Sequence, residues 1–117
     1  MEPQAAASDS VSDALDEMER AVEDNIEEER MLVNRVRALR AAHRAGGSWG
    51  EILEKEEHPG LLPLVGRVLH RMSQASGLVR RALARALRAE GETIPAIARR
   101  FGVTHQRISS LLRGRGR

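Results

Sequence analysis

The stretch "AIARRFGVTHQRISSLLR", Ala96 to Arg113, decides the fold of this chain of 117 residues. Two short apolar patterns with helical spacing meet in it at Gly102 and Val103. The first pattern predicts a short helix that Thr93 caps, and its inward apolar residues are Ile94, Ile97, Ala98 and Phe101. Because glycine takes the left-handed conformation that a sharp helix end requires, we expect this helix to stop at Gly102.

The second pattern predicts a helix that Thr104 caps and whose apolar residues Ile108, Leu111 and Leu112 face the core. His105 is expected nearer the buried edge. At about 100° per residue, the residues on the opposite side and its flanks are Gln106, Arg107, Ser109, Ser110 and Arg113. Uncharged polar groups beside guanidinium groups can hydrogen-bond base edges and neutralise phosphates. The alternative is a helical hairpin that packs against another protein.

These residues resemble a known DNA-binding element. Ile97-Ala98, Phe101-Gly102-Val103, Ile108 and Leu111 match the apolar and glycine positions of the helix-turn-helix. The stretch 78–113 is most similar to the trihelical version found in resolvase-type DNA-binding domains and in region four of sigma factors. This resemblance implies that the second helix enters the major groove of double-stranded DNA, with Thr104 near a phosphate.

The resemblance and the polar face together give a set of expected DNA contacts. Gln106 and Arg107 are the expected base contacts, since glutamine can pair with adenine and arginine with guanine. The full set of expected DNA-binding residues is Thr93, Thr104, His105, Gln106, Arg107, Ser109, Ser110 and Arg113. The candidates for contact with the phosphate backbone are Arg80, Arg81, Arg99, Arg100, Arg115 and Arg117.

The whole chain is predicted to be all-α, because helix formers dominate and alternating β-branched patterns are nearly absent. We expect a C-terminal trihelical helix-turn-helix preceded by a long acidic amphipathic helix and a middle helical segment. Ser10 with Asp13 is expected to start the long helix and Ser48 to start the middle segment. Ser76-Gly77 is expected to mark a break or bend before the next helix. The predicted segments are a disordered start at 1–9, the acidic helix at 10–46, the middle segment at 47–75, the DNA-binding domain at 76–113 and a basic tail at 114–117.

The long helix carries an apolar stripe and a strong acidic bias. The stripe consists of Leu15, Met18, Val22, Ile26, Leu32, Val33, Val36 and Leu39. Residues 1–30 hold eleven acidic residues and two arginines, whereas residues 67–117 hold twelve arginines and two glutamates. The stripe predicts a homodimer through the N-terminal helix, or a helix that folds back to complete a monomer's core. The acidic arm is also a candidate contact for a protein partner.

Several classes of site are not indicated by the sequence. The chain has no cysteine, its four histidines lack metal-type spacing, and "GGSWG" lacks the GK[ST] ending of a phosphate-binding loop. No motif supports a nucleophile with its base, so we expect a non-enzyme without metal or cofactor. No apolar run reaches the roughly 18–20 residues of a membrane span, and "MEPQAAASDS" lacks the features of a secretory signal. We therefore expect no membrane partner and a cytoplasmic, nucleoid-associated protein.

Together these features predict a sequence-specific DNA-binding protein, a bacterial transcriptional regulator that contacts the major groove with the helix 104–113. The alternative is a protein–protein interaction module or transcription adaptor. In that case the arginine-rich face would bind an acidic partner, and the acidic N-terminal helix would act as an autoinhibitor or DNA mimic.

Overall fold

The computed structural model describes the backbone of residues 3–114 and the side chains of residues 10–114. This part of the chain is all-helical, as predicted, and contains no strand. Its helices are α1 (Pro3–Arg44), α2 (Trp49–Glu54), α3 (Leu61–Ala89), α4 (Ile94–Phe101) and α5 (His105–Arg113). In the predicted basic tail, the candidate phosphate contacts Arg115 and Arg117 lie outside the described residues.

Helix α1 begins earlier than the sequence analysis placed it. The expected start was Ser10, after a disordered segment, but the backbone is already helical from Pro3. Proline fits the first turn of a helix because the N–H that it lacks has no partner there. The alanines at 5–7 then have the highest helix propensity of any residue, so no cap is needed at Ser10.

Helix α3 is continuous from Leu61 to Ala89, so the predicted break at Ser76-Gly77 is wrong. A glycine inside a helix costs only about 1 kcal/mol relative to alanine, and the alanine, leucine and arginine residues around it favour the helix. A Cβ atom at Gly77 would meet only the guanidinium group of Arg81, at 3.7 Å, so no close contact requires glycine there. The predicted boundary between 47–75 and 76–113 therefore falls inside one helix.

The chain forms two compact units, Met1–Arg20 with Ser73–Arg117, and Ala21–Met72. The first unit has a core of Ala84, Ile97, Ala98, Ile108 and Leu111. Packed against this core are the partly buried residues Leu87, Ile94, Phe101, Val103 and Leu112. The inward positions predicted for α4 and α5 are thus confirmed.

In the second unit, α1 and α3 pack antiparallel through a polar stripe. Nδ2 of Asn25 donates to the carbonyl of Val68 at 3.3 Å, and its Oδ1 accepts from Arg71 at 2.7 Å. Oε1 of Glu28 accepts from Arg67 at 2.6 Å and from Arg71 at 3.1 Å. The hydrogen bond from Arg71 is the main cause that holds the pKa of Glu28 below its ordinary value, against the opposing effect of burial.

The apolar stripe predicted on α1 does not form one buried face. The buried residues on the described part of α1 are Ala14, Ala21, Asn25, Glu28 and Arg35. By contrast, the exposed apolar residues are Leu15, Val22, Ile26, Val33 and Val36. Helix α1 therefore uses its polar residues within the chain and leaves much of its apolar surface open to solvent.

Helix α2 closes the second unit beside the end of α1. Ser48 caps it as predicted, since its hydroxyl accepts from the amide of Glu51 at 3.3 Å and donates to the Glu51 carboxylate at 2.8 Å. Ile52 is buried, and the ring of Trp49 stacks on His43 with centroids 4.2 Å apart. No helix in the described part of the chain is apolar over the length that a bilayer crossing demands.

Candidate nucleic-acid interface

Helix α4 starts and stops at the residues that the sequence indicated. The hydroxyl of Thr93 accepts from the amide of Ala96 at 3.2 Å, and Pro95 lies in the first turn. At the other end, Gly102 adopts the left-handed conformation with φ 67° and ψ 35°. The amide of Val103 donates to the carbonyl of Ala98 at 3.1 Å, which completes a compact helix end.

Three residues, 102–104, separate the end of α4 from the start of α5. The hydroxyl of Thr104 accepts from the amide of Arg107 at 3.1 Å and so caps the helix, as predicted. Ile108 is fully buried and Leu111 is 6% exposed, and these two residues hold α5 against the core. One side of α5 is thereby fixed, which leaves the other side to solvent.

The outer side of α5 carries polar and cationic groups only. The exposed residues of this helix are His105, Gln106, Arg107, Ser110 and Arg113, and Ser109 is half-buried. The expectation that His105 lies near the buried edge is wrong, since it occupies the exposed first turn. Helix α5 contains no acidic residue, so nothing on it opposes an anionic ligand.

The arginines around α4 and α5 differ in their availability. Arg80, Arg99, Arg107 and Arg113 are exposed, and none of them forms an ion pair with any residue between 10 and 114. Four positive charges of the first unit are therefore without an acidic partner in the described side chains.

Arg100, by contrast, is bound within the chain. Its Nε and one terminal nitrogen donate to the two carboxylate oxygens of Glu92, at 2.8 and 2.9 Å. This hydrogen bonding lowers the pKa of Glu92 and raises that of Arg100. Arg100, one of the predicted backbone-contact residues, thus has its charge already neutralised by a neighbour.

A polar groove joins the C-terminal half of α3 to α5. Its volume is about 240 Å³, and Arg80, Arg81 and Arg107 contribute to its lining together with Gln74 and Ser110. Arg81 is half-buried and takes part in an interaction of its own, whereas Arg80 and Arg107 remain exposed. The fold thus brings guanidinium groups from two helices to one concave surface, although they are 27 positions apart in the sequence.

Comparison of the chain with models of known protein families, with curated proteins and with solved structures found no match. The assignment of a function therefore depends on the chemistry of these side chains.

The acidic start of α1 lies beside α3. Asp13 and Glu17 share a groove of about 430 Å³ with Arg81 and Arg85 of α3. No residue of α5 lines this groove. The acidic start of α1 and the arginine-rich part of α3 are thus neighbours in the first unit. Gln106 of α5 stays exposed.

Two features of this unit were not found from the sequence. The pairing of Glu92 with Arg100 joins the loop before α4 to the end of the helix, and no sequence pattern distinguishes Arg100 from Arg99 in advance. The second is the hydrogen bond from Arg85 to the carbonyl of Gly114 at 2.7 Å, which ties α3 to the end of α5. Among the described residues, no cluster of three or more histidine or acidic side chains suits a metal ion.

Proposed function

We propose that this protein binds double-stranded DNA sequence-specifically and acts as a transcriptional regulator, with α5 in the major groove. The observation that carries the proposal is the outer side of α5, where Gln106, Arg107 and Arg113 are exposed without an acidic neighbour on the helix. A major groove about 12 Å wide admits one α-helix, and its base edges offer hydrogen-bond groups that these side chains match.

Gln106 and Arg107 serve as the base contacts in this proposal. They lie in the first turn of α5, and the N-terminal residues of a recognition helix are the ones that approach base edges. Each well-formed two-pronged contact contributes about 1–3 kcal/mol of discrimination between bases. Ser110 and Arg113 follow one and two turns later on the same side, where they contact bases or the sugar-phosphate backbone.

Phosphate contacts come from exposed arginines that form no ion pair with the side chains described between 10 and 114. Arg80 and Arg99 are exposed and make no ion pair among the described residues, so both are available to phosphate. Arg100 does not serve this role here, because Glu92 already holds its guanidinium group at two points. We expect Thr104 to lie near a phosphate, because the amides at the start of a helix attract anions.

The test begins with selection of bound sequences from a pool of random duplexes, followed by fluorescence anisotropy with a selected and a scrambled duplex. Arg107→Ala and Gln106→Ala are each expected to weaken binding to the selected duplex about 5- to 100-fold. Binding to the scrambled duplex should change much less, so that the ratio of the two affinities falls. The matched control is Arg44→Ala, which removes the same charge from an exposed residue on α1.

A second measurement separates base contacts from phosphate contacts. For Arg80→Ala and Arg99→Ala, affinity should fall equally for both duplexes, and the slope of log K against log salt should decrease by about one. Arg100→Ala should leave that slope nearly unchanged. If Arg107→Ala and Arg44→Ala have the same effect on both duplexes, α5 does not contact bases. If no duplex binds at low salt, the proposal is wrong and an acidic protein partner takes its place.

A further inference from the structure

One side of α1 carries an apolar stripe that remains exposed within its compact unit. The stripe consists of Val22, Ile26, Val33 and Val36, each between 39% and 47% exposed. With Glu29 between Ile26 and Val33, these positions advance by alternating steps of four and three residues. That alternation is the spacing of a helix–helix seam. Exposed apolar surface of this kind marks an interaction site.

This stripe is separate from the surface that α1 uses within the chain. Asn25, Glu28 and Arg35 lie on the buried side and bond to α3 or to the loop before it. At about 100° per residue, the stripe is displaced by roughly a quarter turn from that buried side. Helix α1 therefore has two seams, one occupied by α3 and one open.

The open seam continues on α3. Because α1 and α3 run antiparallel, residues displaced by the same quarter turn from their shared contact lie on the same side of the pair. On α3 those residues are Val65, Leu69 and Met72, of which Leu69 is 65% exposed. A face built from two helices is broad enough to receive another helix pair.

The charges of this part of α1 are segregated along its length. Between positions 21 and 44 all five acidic residues come first, at Glu23, Asp24, Glu27, Glu28 and Glu29. All five arginines follow, at Arg30, Arg35, Arg37, Arg40 and Arg44. Two such helices repel one another when parallel and attract when antiparallel.

The change of sign and the centre of the apolar stripe coincide. Val22 and Val36 are each seven positions from Glu29, and the charge reverses between Glu29 and Arg30. A two-fold axis at this point places Val22 and Ile26 of one helix against Val36 and Val33 of the other, with the two Glu29 residues at the axis. The same axis places the acidic half of one helix against the basic half of the other, so shape and charge select one arrangement.

We propose that two copies of this chain associate through the stripe Val22–Val36, with their α1 helices antiparallel about an axis near Glu29. The interface is isologous, since each copy contributes the same surface. Glu23 of one copy then lies close to Arg37 of the other. Self-association does not depend on DNA binding, so this proposal stands or falls separately.

Mass measurement of the full chain by light scattering or sedimentation equilibrium without DNA tests association. The wild type should show twice the monomer mass of 12.9 kDa at micromolar concentrations. The double variant Ile26→Gln/Val33→Gln should show the monomer mass, with the helical circular dichroism of the wild type, because both residues are about half exposed. The control Leu53→Gln changes a residue that is 50% exposed and lies on α2, outside the faces of α1 and α3 that form the seam, and it should stay dimeric.

Cross-linking decides the orientation, because the chain has no cysteine of its own. A disulfide requires Cα atoms within about 7 Å, whereas positions 23 and 37 lie about 21 Å apart along one helix. Glu23→Cys alone should therefore give little disulfide-linked dimer, and so should Arg37→Cys alone. An equal mixture of the two variants should give a high yield of the mixed dimer under mild oxidation.

Each result supports or overturns the proposal. Mixed cross-links together with loss of the dimer in Ile26→Gln/Val33→Gln support it. A strong self-cross-link in Glu23→Cys means that the helices are parallel and overturns the orientation. A wild-type chain that stays monomeric up to 100 micromolar, or a double variant that stays dimeric, overturns the interface itself, and a different protein then covers the stripe.

Discussion

The left-handed turn between α4 and α5 permits a stringent test, because the same substitution should have opposite effects at two glycines. Gly102 has φ 67°, whereas Gly66 lies within helix α3. A Cβ atom built at either position meets no other atom within 4 Å. Replacement by alanine therefore changes backbone preference at both sites without a steric clash at either.

The expected magnitudes follow from the conformations. An alanine in the left-handed region costs about 1–2 kcal/mol, so Gly102→Ala should destabilise the chain by about 1 kcal/mol after the gain from restricting the unfolded chain. Gly66→Ala should stabilise it by about 0.5–1 kcal/mol, since alanine is the better helix former. Gly102→Asn should lose less than Gly102→Ala, because asparagine tolerates the left-handed region.

Thermal and urea unfolding followed by circular dichroism at 222 nm measures all three variants. A shift of about 4 °C per kcal/mol is expected for a domain of this size, downward for Gly102→Ala and upward for Gly66→Ala. A shift in the same direction for both alanine variants would refute the argument, because it would mean that the two backbone conformations do not differ as described. An unchanged midpoint for Gly102→Ala would equally contradict the left-handed helix end.

The remaining predictions concern the core, a cap and two ion pairs. Ile108→Ala should cost about 2–5 kcal/mol, measured by urea unfolding, because its side chain is fully buried between α4 and α5. Thr104→Ala should cost about 1 kcal/mol in the same assay through loss of the cap. Because the pKa of Glu28 is lowered in the folded chain, its carboxylate stabilises the fold at pH values above its ordinary pKa of 4.5. This stabilisation is lost as the pH falls through the folded pKa. Glu28→Gln should therefore be less stable at pH 7 and less sensitive to acid. In Arg100→Ala, NMR titration should show the pKa of Glu92 move up toward its ordinary value.

The segment from Thr93 to Arg113 could be predicted closely because its signals are local. Each cap residue accepts a hydrogen bond from the amide three positions later, as Thr93 and Thr104 show. Gly102 acts through its own backbone angles, which no distant contact has to set. The apolar spacing then determines which side of α4 and α5 is buried. The exposure of Gln106 follows from the same spacing.

The buried side of α1 could not be predicted because its signals are distant. The apolar stripe predicts either a contact with a second copy or a monomer's core, and within the chain Val22 and Ile26 stay exposed whereas Asn25 and Glu28 are buried. Their partners lie on α3, 39 to 46 positions away: Asn25 bonds through both its amide nitrogen and its oxygen, and Oε1 of Glu28 accepts from Arg67 and Arg71. Oε2 of Glu28 is buried and has no hydrogen-bond partner among the described residues. A polar residue costs little to bury only when its partner is present, and a single sequence does not show which partner that is.

The continuity of α3 also depends on packing that a local sequence signal does not show. Ser76-Gly77 has the composition of a helix break, and the sequence predicts a domain boundary there. Propensity contributes only about 1 kcal/mol at such a position, which packing on both sides of it can outweigh. Ala75, 5% exposed, and Ala82, 9% exposed, are packed on either side of the glycine.

The apolar stripe on α1 and the polar side of α5 belong to different compact units, and this separation makes the two proposals independent. Ile26→Gln changes the second unit, while Arg107→Ala changes the first unit. If both proposals hold, the monomeric double variant keeps its affinity for a single half-site and loses the gain that a duplex with two half-sites provides. That difference in affinity between one and two half-sites would measure directly how much self-association contributes to DNA binding.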